Sequence, residues 1–408
     1  MSKLLIAQSG GPTVAINATL AGILDAASNN PRVDKIYGGV NGIEGVLQER
    51  FIDLTDLAVD REQLKILWQT PAAALGSCRW KLSSEEEDEG AYEKFMEIMK
   101  KHDIAYFIYI GGNDSMDTVD KLASYCRRKN IDDFYIIGAP KTIDNDLVGT
   151  DHCPGFGSAA KYIATTMAEL ERDCHVYTTK TVTVVEIMGR NAGWLTAASA
   201  LSRIHGAKGP DLIYLCERPF ELETCAKKVE ELLKSQDSVL IALSEGVKDK
   251  NGQYISGSLA PQGVDAFGHV QVAGAAMVTA DYLKNRLGCK TRAIAFNLMQ
   301  RASACLASKK DLEESFQLGS VAAKAVIGAE SGKMASIKRL DKEKYTVCYE
   351  LVDVSEVANR ERKVPLDMIT ESGDDVKQEM VDYLLPLIQG EPRILYENGL
   401  PLHIHLYE

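Results

Sequence analysis

The sequence has no cysteine pattern. Its nine cysteines are scattered over 408 residues without CxxC pairs or zinc-like spacing. That argues against a disulfide scaffold or a zinc module and leaves free thiols in a reducing compartment as the simplest reading. No apolar run approaches the roughly 20 residues that span a bilayer, and no segment resembles a secretory signal. A cytoplasmic protein with no membrane partner is expected. Positive charge is also short: 46 Lys and Arg against 58 Asp and Glu give a net charge of −12. This sign argues against a general nucleic-acid binder or a binder of anionic membranes. It leaves an anionic small substrate open, because a local arginine cluster overrules the global sign. Low-complexity linkers and repeats of about 20–50 residues are missing too. What is present is an ordinary globular composition, 45% apolar and 25% charged, in a chain long enough for two domains with proper cores.

Short apolar, β-rich runs alternate with longer helical stretches, which signals a parallel α/β sheet. Strands are expected at Lys3–Gln8, Ala105–Ile110, Phe134–Gly138, Val182–Ile187, Leu212–Cys216, Val239–Leu243 and Arg292–Phe296. Polar or glycine-rich segments follow most of them: Ser9-Gly-Gly-Pro12, Gly111-Gly-Asn-Asp-Ser115, Pro140–Asp146, Met188-Gly-Arg190 and Ser244-Glu-Gly246. Open α/β sheets bind ligands just beyond the carboxyl ends of their strands, so the chemistry belongs in these segments. A second α/β unit is read from about Pro154 to Phe296. From Lys342 onward the pattern loosens into an extension that packs on the body or at a subunit contact. The acidic run Ser83–Gly90 reads as a solvated helix start. His152, His205 and His269 lack ligand spacing and read as structural or solvent-facing. Trp68, Trp80 and Trp194 read as packing residues.

The most informative segment is Gly138–Asp146, GAPKTIDND. An apolar strand runs straight into a cation, a hydroxyl and two carboxylates, a costly cluster to set beside a core. One acid can take a proton from an attacking hydroxyl and a second can reach a magnesium ion. The lysine can neutralise a moving phosphoryl group. The bland reading is a solvated Asp/Asn-rich turn. Gly10-Gly11-Pro12 lies between a strand and a helix containing Ala15–Ala27, and Gly111-Gly112-Asn113-Asp114-Ser115 is a second loop of the same kind. Such turns let backbone amides approach a phosphate at a helix N-terminus. Either alone is equally well a tight turn. Two of them beside the Asp-rich segment point to a phosphate site.

The Gly138–Asp146 segment resembles the signature of the 6-phosphofructokinase family. With Lys141 rather than glycine before Thr142, it looks like the pyrophosphate-dependent branch. The resemblance runs in family order from Ser9 to Ser331. It implies two Rossmann-like three-layer α/β/α domains of the phosphofructokinase fold. Residues 1–153 with part of 299–340 would take the phosphoryl donor, 154–298 would take the sugar, and 341–408 would form a C-terminal extension. In ATP-using members the second loop reads Gly-Gly-Asp-Gly-Ser. Here Asp114 stands at the glycine before the serine, where it would crowd and repel a nucleotide's α-phosphate. Gly11, Gly112, Ser115 and Arg79, the last in Gly76-Ser-Cys-Arg79, would hold the donor, and Lys141 would supply charge as the phosphoryl moves. Asp144 matches the family's proton acceptor, with Thr142 beside it to bind the sugar or the transferring group. Asp146 would hold Mg2+, joined by Asn113, which stands where relatives have a metal-binding aspartate.

The same resemblance places Met188, Gly189 and Arg190 along the sugar, with Arg190 also in reach of the phosphoryl group. It matches Glu245 to the glutamate that accepts from sugar hydroxyls, and Arg292 and Arg301 to phosphate-binding arginines. Arginine's planar fork suits that task. In relatives the first of these arginines reaches in from a neighbouring subunit, which implies a homodimer or homotetramer. Leu298 occupies a position usually His or Tyr, and Thr181 one that is often arginine, where Lys180 could substitute. For any one of these residues alone, a surface ion pair is the simpler reading; their joint placement at strand ends reverses it. The activity implied is reversible, magnesium-dependent phosphorylation of fructose 6-phosphate by pyrophosphate. An ATP-dependent phosphofructokinase, a catalytically silent sugar-phosphate-binding subunit, and a different acceptor such as sedoheptulose 7-phosphate stay open.

Overall fold

The computed structural model describes residues 2–258, 273–341 and 344–407; His269 lies outside them. Among the described residues the first sheet is built from β1 (Ser2–Gln8), β2 (Val33–Gly39), β3 (Phe51–Asp53), β4 (Ile104–Gly111) and β5 (Tyr135–Pro140). It is completed by β10 (Lys333–Asp341) and β11 (Thr346–Asp353), in the order β11-β10-β5-β4-β1-β2-β3. Its centre is parallel, and β3 and β11 run antiparallel at the edges. β1 shows why this sheet is buried on both sides. Leu4 and Ile6 enter one apolar layer and Leu5 and Ala7 the other, as a period of two requires. Each fully buried leucine or isoleucine contributes roughly 1.5–3 kcal/mol of transfer free energy. Helices Ile16–Ser28 and Lys309–Ile327 cover the first face, while Glu89–Lys101 and Asn113–Arg128 cover the second.

The second sheet holds β6 (Thr181–Ile187), β7 (Leu212–Tyr214), β8 (Ser238–Ser244) and β9 (Lys290–Ala295), all parallel, in the order β7-β8-β6-β9. Helix Phe156–Cys174 lies on one face, with Leu222–Leu232 and Ala275–Leu287 on the other. In both sheets the chain reverses direction of travel beside the first strand laid down, between β1 and β4 and around β6. The carboxyl ends at such a reversal leave a crevice that side chains can line.

The strands expected from sequence are present within one or two residues at most ends, and β5 runs on to Pro140. β2, β3, β10 and β11 were not anticipated. β11 falls within the stretch read as an extension, yet it pairs along β10 as the edge of the first sheet. Within the acidic run before residue 90, the Asp88 carboxylate accepts from Ala91 N and caps Glu89–Lys101. No described helix is long and apolar enough to cross a membrane.

Candidate active site

The carboxyl ends of the two sheets open onto one cavity of about 620 Å³. β1 delivers Gly10, Gly11 and Pro12, and β4 delivers Gly112 to Ser115 at the start of helix Asn113–Arg128. Gly10 has φ 76°, a conformation that favours glycine. The turn also lies close under two cations: a Cβ at Gly10 would stand 3.1 Å from Lys141 Nζ, and one at Gly11 would stand 2.9 Å from an Arg301 guanidinium nitrogen. Ser77 Oγ donates to Gly10 O (2.6 Å) and Gly10 N to Cys78 O (3.1 Å), which sews the loop carrying Arg79 onto the same turn. Ser9 and Ser115 join the two glycine loops through their hydroxyls.

β5 delivers Lys141, Thr142, Asp144 and Asp146 to the cavity. Lys141 is 2% exposed, and burial pulls its ammonium down to about 8; Asp144 opposes the shift and Arg301 adds to it. Burial raises the Asp144 carboxyl above its ordinary value, against the pull of Lys141 and the Thr142 hydroxyl. Thr142 Oγ1 accepts from Asp144 N (3.1 Å) and lies 3.4 Å from Asp144 Oδ2, so the hydroxyl fixes the loop at the acid. Asp146 is pushed up to about 7 by burial, then by Asp144 and Glu361. Asn145 between them is buried at φ 55°. It donates to Tyr383 Oη (2.9 Å) and accepts from Cys153 N (3.0 Å). Asp114 lines the rim, exposed, with Lys81 Nζ 3.6 Å away.

From the second sheet come Met188 and Arg190 after β6 and Glu245 after β8. Gly189, at φ 134°, donates its N–H to Glu245 Oε1 (3.3 Å) while its carbonyl accepts from Ser244 Oγ (2.8 Å). Burial lifts the Glu245 carboxyl to about 7. Arg301, after β9, reaches across to the glycine turn. Two expected residues are not brought here. Arg292 lies half-buried on β9 opposite Thr183, and Leu298 is 54% exposed; neither lines the cavity. β9 ends at Ala295; Phe296 stays buried, Leu298 and Met299 face outward, and Gln300 is buried again before Arg301 enters the cavity. Thr181 is buried, its hydroxyl spent on Thr179 O (3.0 Å).

The sequence reading missed one wall entirely. Residues 357–364, beyond β11, cross the cavity as a strap and add Asn359 and Glu361 to its lining. Buried Val357 and Val364 anchor the two ends. Asn113, expected in the metal shell, also binds this strap. Its Oδ1 accepts from Asn359 N (2.7 Å) and its Nδ2 donates to Arg360 O (3.0 Å), so one lone pair of the amide oxygen is engaged by the strap. Asn359 Nδ2 also reaches Asp117 Oδ1 (2.7 Å). Glu361 pairs with Leu147 in an antiparallel bridge and accepts from Asn191 Nδ2 (3.0 Å). Arg362 grips the Asp-rich loop: its N–H donates to Asp146 O (2.6 Å) and its guanidinium to the carbonyls of Asn145, Thr150 and Asp151. That guanidinium lies over the Trp194 ring, whose Nε1 donates back to Arg362 O (3.2 Å). The readable signal was a charged run, Asn359 to Lys363, between two valines.

Chemistry open to these groups is phosphoryl transfer. Positive charge sits on amide-rich turns fit for phosphates, and half-buried carboxylates share the same cavity. The chain belongs to the phosphofructokinase family, whose sequence pattern matches residues 3–308. It is 39% identical over 398 residues to the pyrophosphate–fructose 6-phosphate 1-phosphotransferase of Halomonas elongata, covering 97% of this chain and 94% of that one. It is 31% identical to a sulfofructose kinase of Alkalicoccus urumqiensis, over 98% of this chain and 94% of that one. The pyrophosphate-dependent phosphofructokinase of Nitrosospira multiformis superposes with a TM-score of 0.88 at 35% identity, covering 99% of this chain and 96% of that structure. The two-sheet α/β architecture is the phosphofructokinase fold.

Proposed function

We propose that this chain moves a phosphoryl group, reversibly, between pyrophosphate and the 1-hydroxyl of fructose 6-phosphate, giving fructose 1,6-bisphosphate and phosphate. The observation that carries the donor assignment is that Asp114 and Lys141 line one cavity with both glycine turns. In this reading pyrophosphate lies on the turns, against Lys141 and Arg301, with Arg79 alongside. Asp114 stands where a longer donor would have to continue, and it rejects a nucleotide by bulk and like charge. Asp144 accepts the proton of the attacking hydroxyl, and its raised proton affinity suits a general base better than an ordinary carboxylate would. Lys141 offsets the negative charge that develops as the donor's P–O bond opens. Met188, Arg190 and Glu245 hold the sugar. The names of the Halomonas and Nitrosospira proteins support this choice of donor and, for the former, of acceptor.

Magnesium fits the chemistry of the donor set. It is held by one or two carboxylates plus substrate phosphate oxygens, and Asp146 presents a carboxylate to the cavity. When bound it would neutralise the phosphates and favour ionised Asp146. A homodimer or homotetramer belongs to the same proposal, with Arg292 reaching a neighbouring subunit's sugar phosphate. The acceptor is tested by phosphorus NMR of the protein with magnesium, pyrophosphate and either fructose 6-phosphate or sulfofructose. Fructose 1,6-bisphosphate and phosphate should appear, and the same two compounds should regenerate pyrophosphate. Transfer to sulfofructose alone, or none from pyrophosphate, would overturn the reading.

A further inference from the structure

We propose that Glu361, carried into the site by the C-terminal strap, is the second carboxylate for the magnesium–pyrophosphate complex, and that it replaces the charge absent at Asn113. The inference rests on the phosphoryl-transfer reading above and deepens it. Two observations bring it forward. The strap that occupies both ends of the Asn113 amide is the same strap that places a carboxylate in the cavity. One contact set therefore ties the neutral Asn113 amide to the strap and brings a carboxylate into the same cavity. The pairing is also fixed rather than incidental. The Leu147–Glu361 bridge and the bond from Arg362 N to Asp146 O (2.6 Å) lock Glu361 alongside the residue after Asp146.

The cavity lining otherwise leaves few anionic oxygens for a cation. Asp144 has the proton to accept, Glu245 holds Gly189 N on the sugar side, and Asp114 faces Lys81 at the rim. Asp146 and Glu361 remain, which matches the one or two carboxylates that Mg2+ takes while keeping phosphate and water oxygens. The competing reading is a latch, in which Glu361 serves only to accept from Asn191 Nδ2. That bond engages one carboxylate oxygen, and no hydrogen bond to the other is seen among the described residues.

The test measures Mn2+ binding by electron paramagnetic resonance, with methylenediphosphonate as a non-hydrolysable pyrophosphate analogue, on the full chain. Glu361→Gln keeps an oxygen for Asn191 and nearly the same shape, so it isolates the charge. Its Mn2+ dissociation constant should rise at least tenfold, with Glu361→Asp falling between it and the parent and the melting temperature nearly unchanged. Asn191→Ser removes the latch but leaves the carboxylate, and should change the constant by less than threefold. An unchanged constant in Glu361→Gln, or an equal loss in Asn191→Ser, would overturn the proposal. Because the readout is metal binding, this failure stays distinct from a parent enzyme that fails to use pyrophosphate, which would sink the functional reading instead.

Discussion

Asp144 and Lys141 carry opposite burdens of the same burial. Burial raises the acid's proton affinity and lowers the amine's, and each partly restrains the other. Replacing Asp144 with asparagine keeps shape and removes the proton acceptor. Turnover should fall about 10²–10⁴-fold with substrate binding retained, as read by steady-state kinetics and calorimetry; near-normal turnover would refute the assignment. Lys141 gives a second expectation. Its proton leaves near pH 8 in the free enzyme, so kcat/KM for pyrophosphate should decline above that pH. A bound polyanion holds the proton, so the corresponding limb in kcat should lie at higher pH. A pH profile of both parameters checks this, and Lys141→Arg should move the limb of kcat/KM upward.

At the scale of elements, the strap 357–364 governs the Asp-rich loop. Arg362 satisfies carbonyls at Asn145, Thr150 and Asp151 while stacking on Trp194. Arg362→Ala takes this donor from the carbonyls of Asn145 and Thr150, at roughly 1–3 kcal/mol for each buried group so orphaned, while Asp151 O keeps Tyr383 Oη (2.8 Å). Expected are a lower melting temperature and a kcat loss of at least tenfold, larger than any change in KM for the sugar. Arg362→Lys, which restores one donor point and no fork, should recover only part of either. Sequence made some elements legible and hid others for a physical reason. β1, β4, β5, β6 and β8 are apolar runs ending in glycine or charge, because they are buried on both faces and open onto the cavity. β2 and β11 are only partly buried and mix charge with apolar residues, so no clean period shows. Between its two buried valines the strap is held by polar side chains bonding to backbone and to one another, an attachment that leaves no periodic hydrophobic pattern.

For the whole molecule, the alternation of apolar runs and helices was enough to read two parallel sheets with chemistry at their carboxyl ends. Arg292, expected at a neighbouring subunit's sugar phosphate, and Leu298 lie outside this chain's own cavity; family position says nothing about which way a strand's last residues turn. His152, read only as structural or solvent-facing, ties distant parts of the chain. It is buried between Asp151 (2.9 Å) and Glu314 (2.8 Å), and Arg339 and Tyr345 bind the same two acids. Burial pulls its proton affinity down, but the hydrogen bonds to Asp151 and Glu314 outweigh that and carry it up to about 9. A raised folded-state value stabilises fully below the unfolded value, near 6.5, and that contribution is lost as pH rises through 9. The effect is on the order of a few kcal/mol. Calorimetry should show His152→Gln melting well below the parent at pH 6, with the gap closing by pH 9.5. A gap independent of pH would mean the histidine is held uncharged.

The most direct measurement compares pyrophosphate and ATP as donors, side by side, with magnesium and fructose 6-phosphate. Pyrophosphate should support turnover and ATP should not, while replacing Asp114 and Lys141 together by glycine should weaken the use of pyrophosphate and open the rim to the nucleotide. Turnover of ATP by the unaltered enzyme at a rate matching or exceeding that with pyrophosphate would contradict the cradle proposed at Asp114 and Lys141.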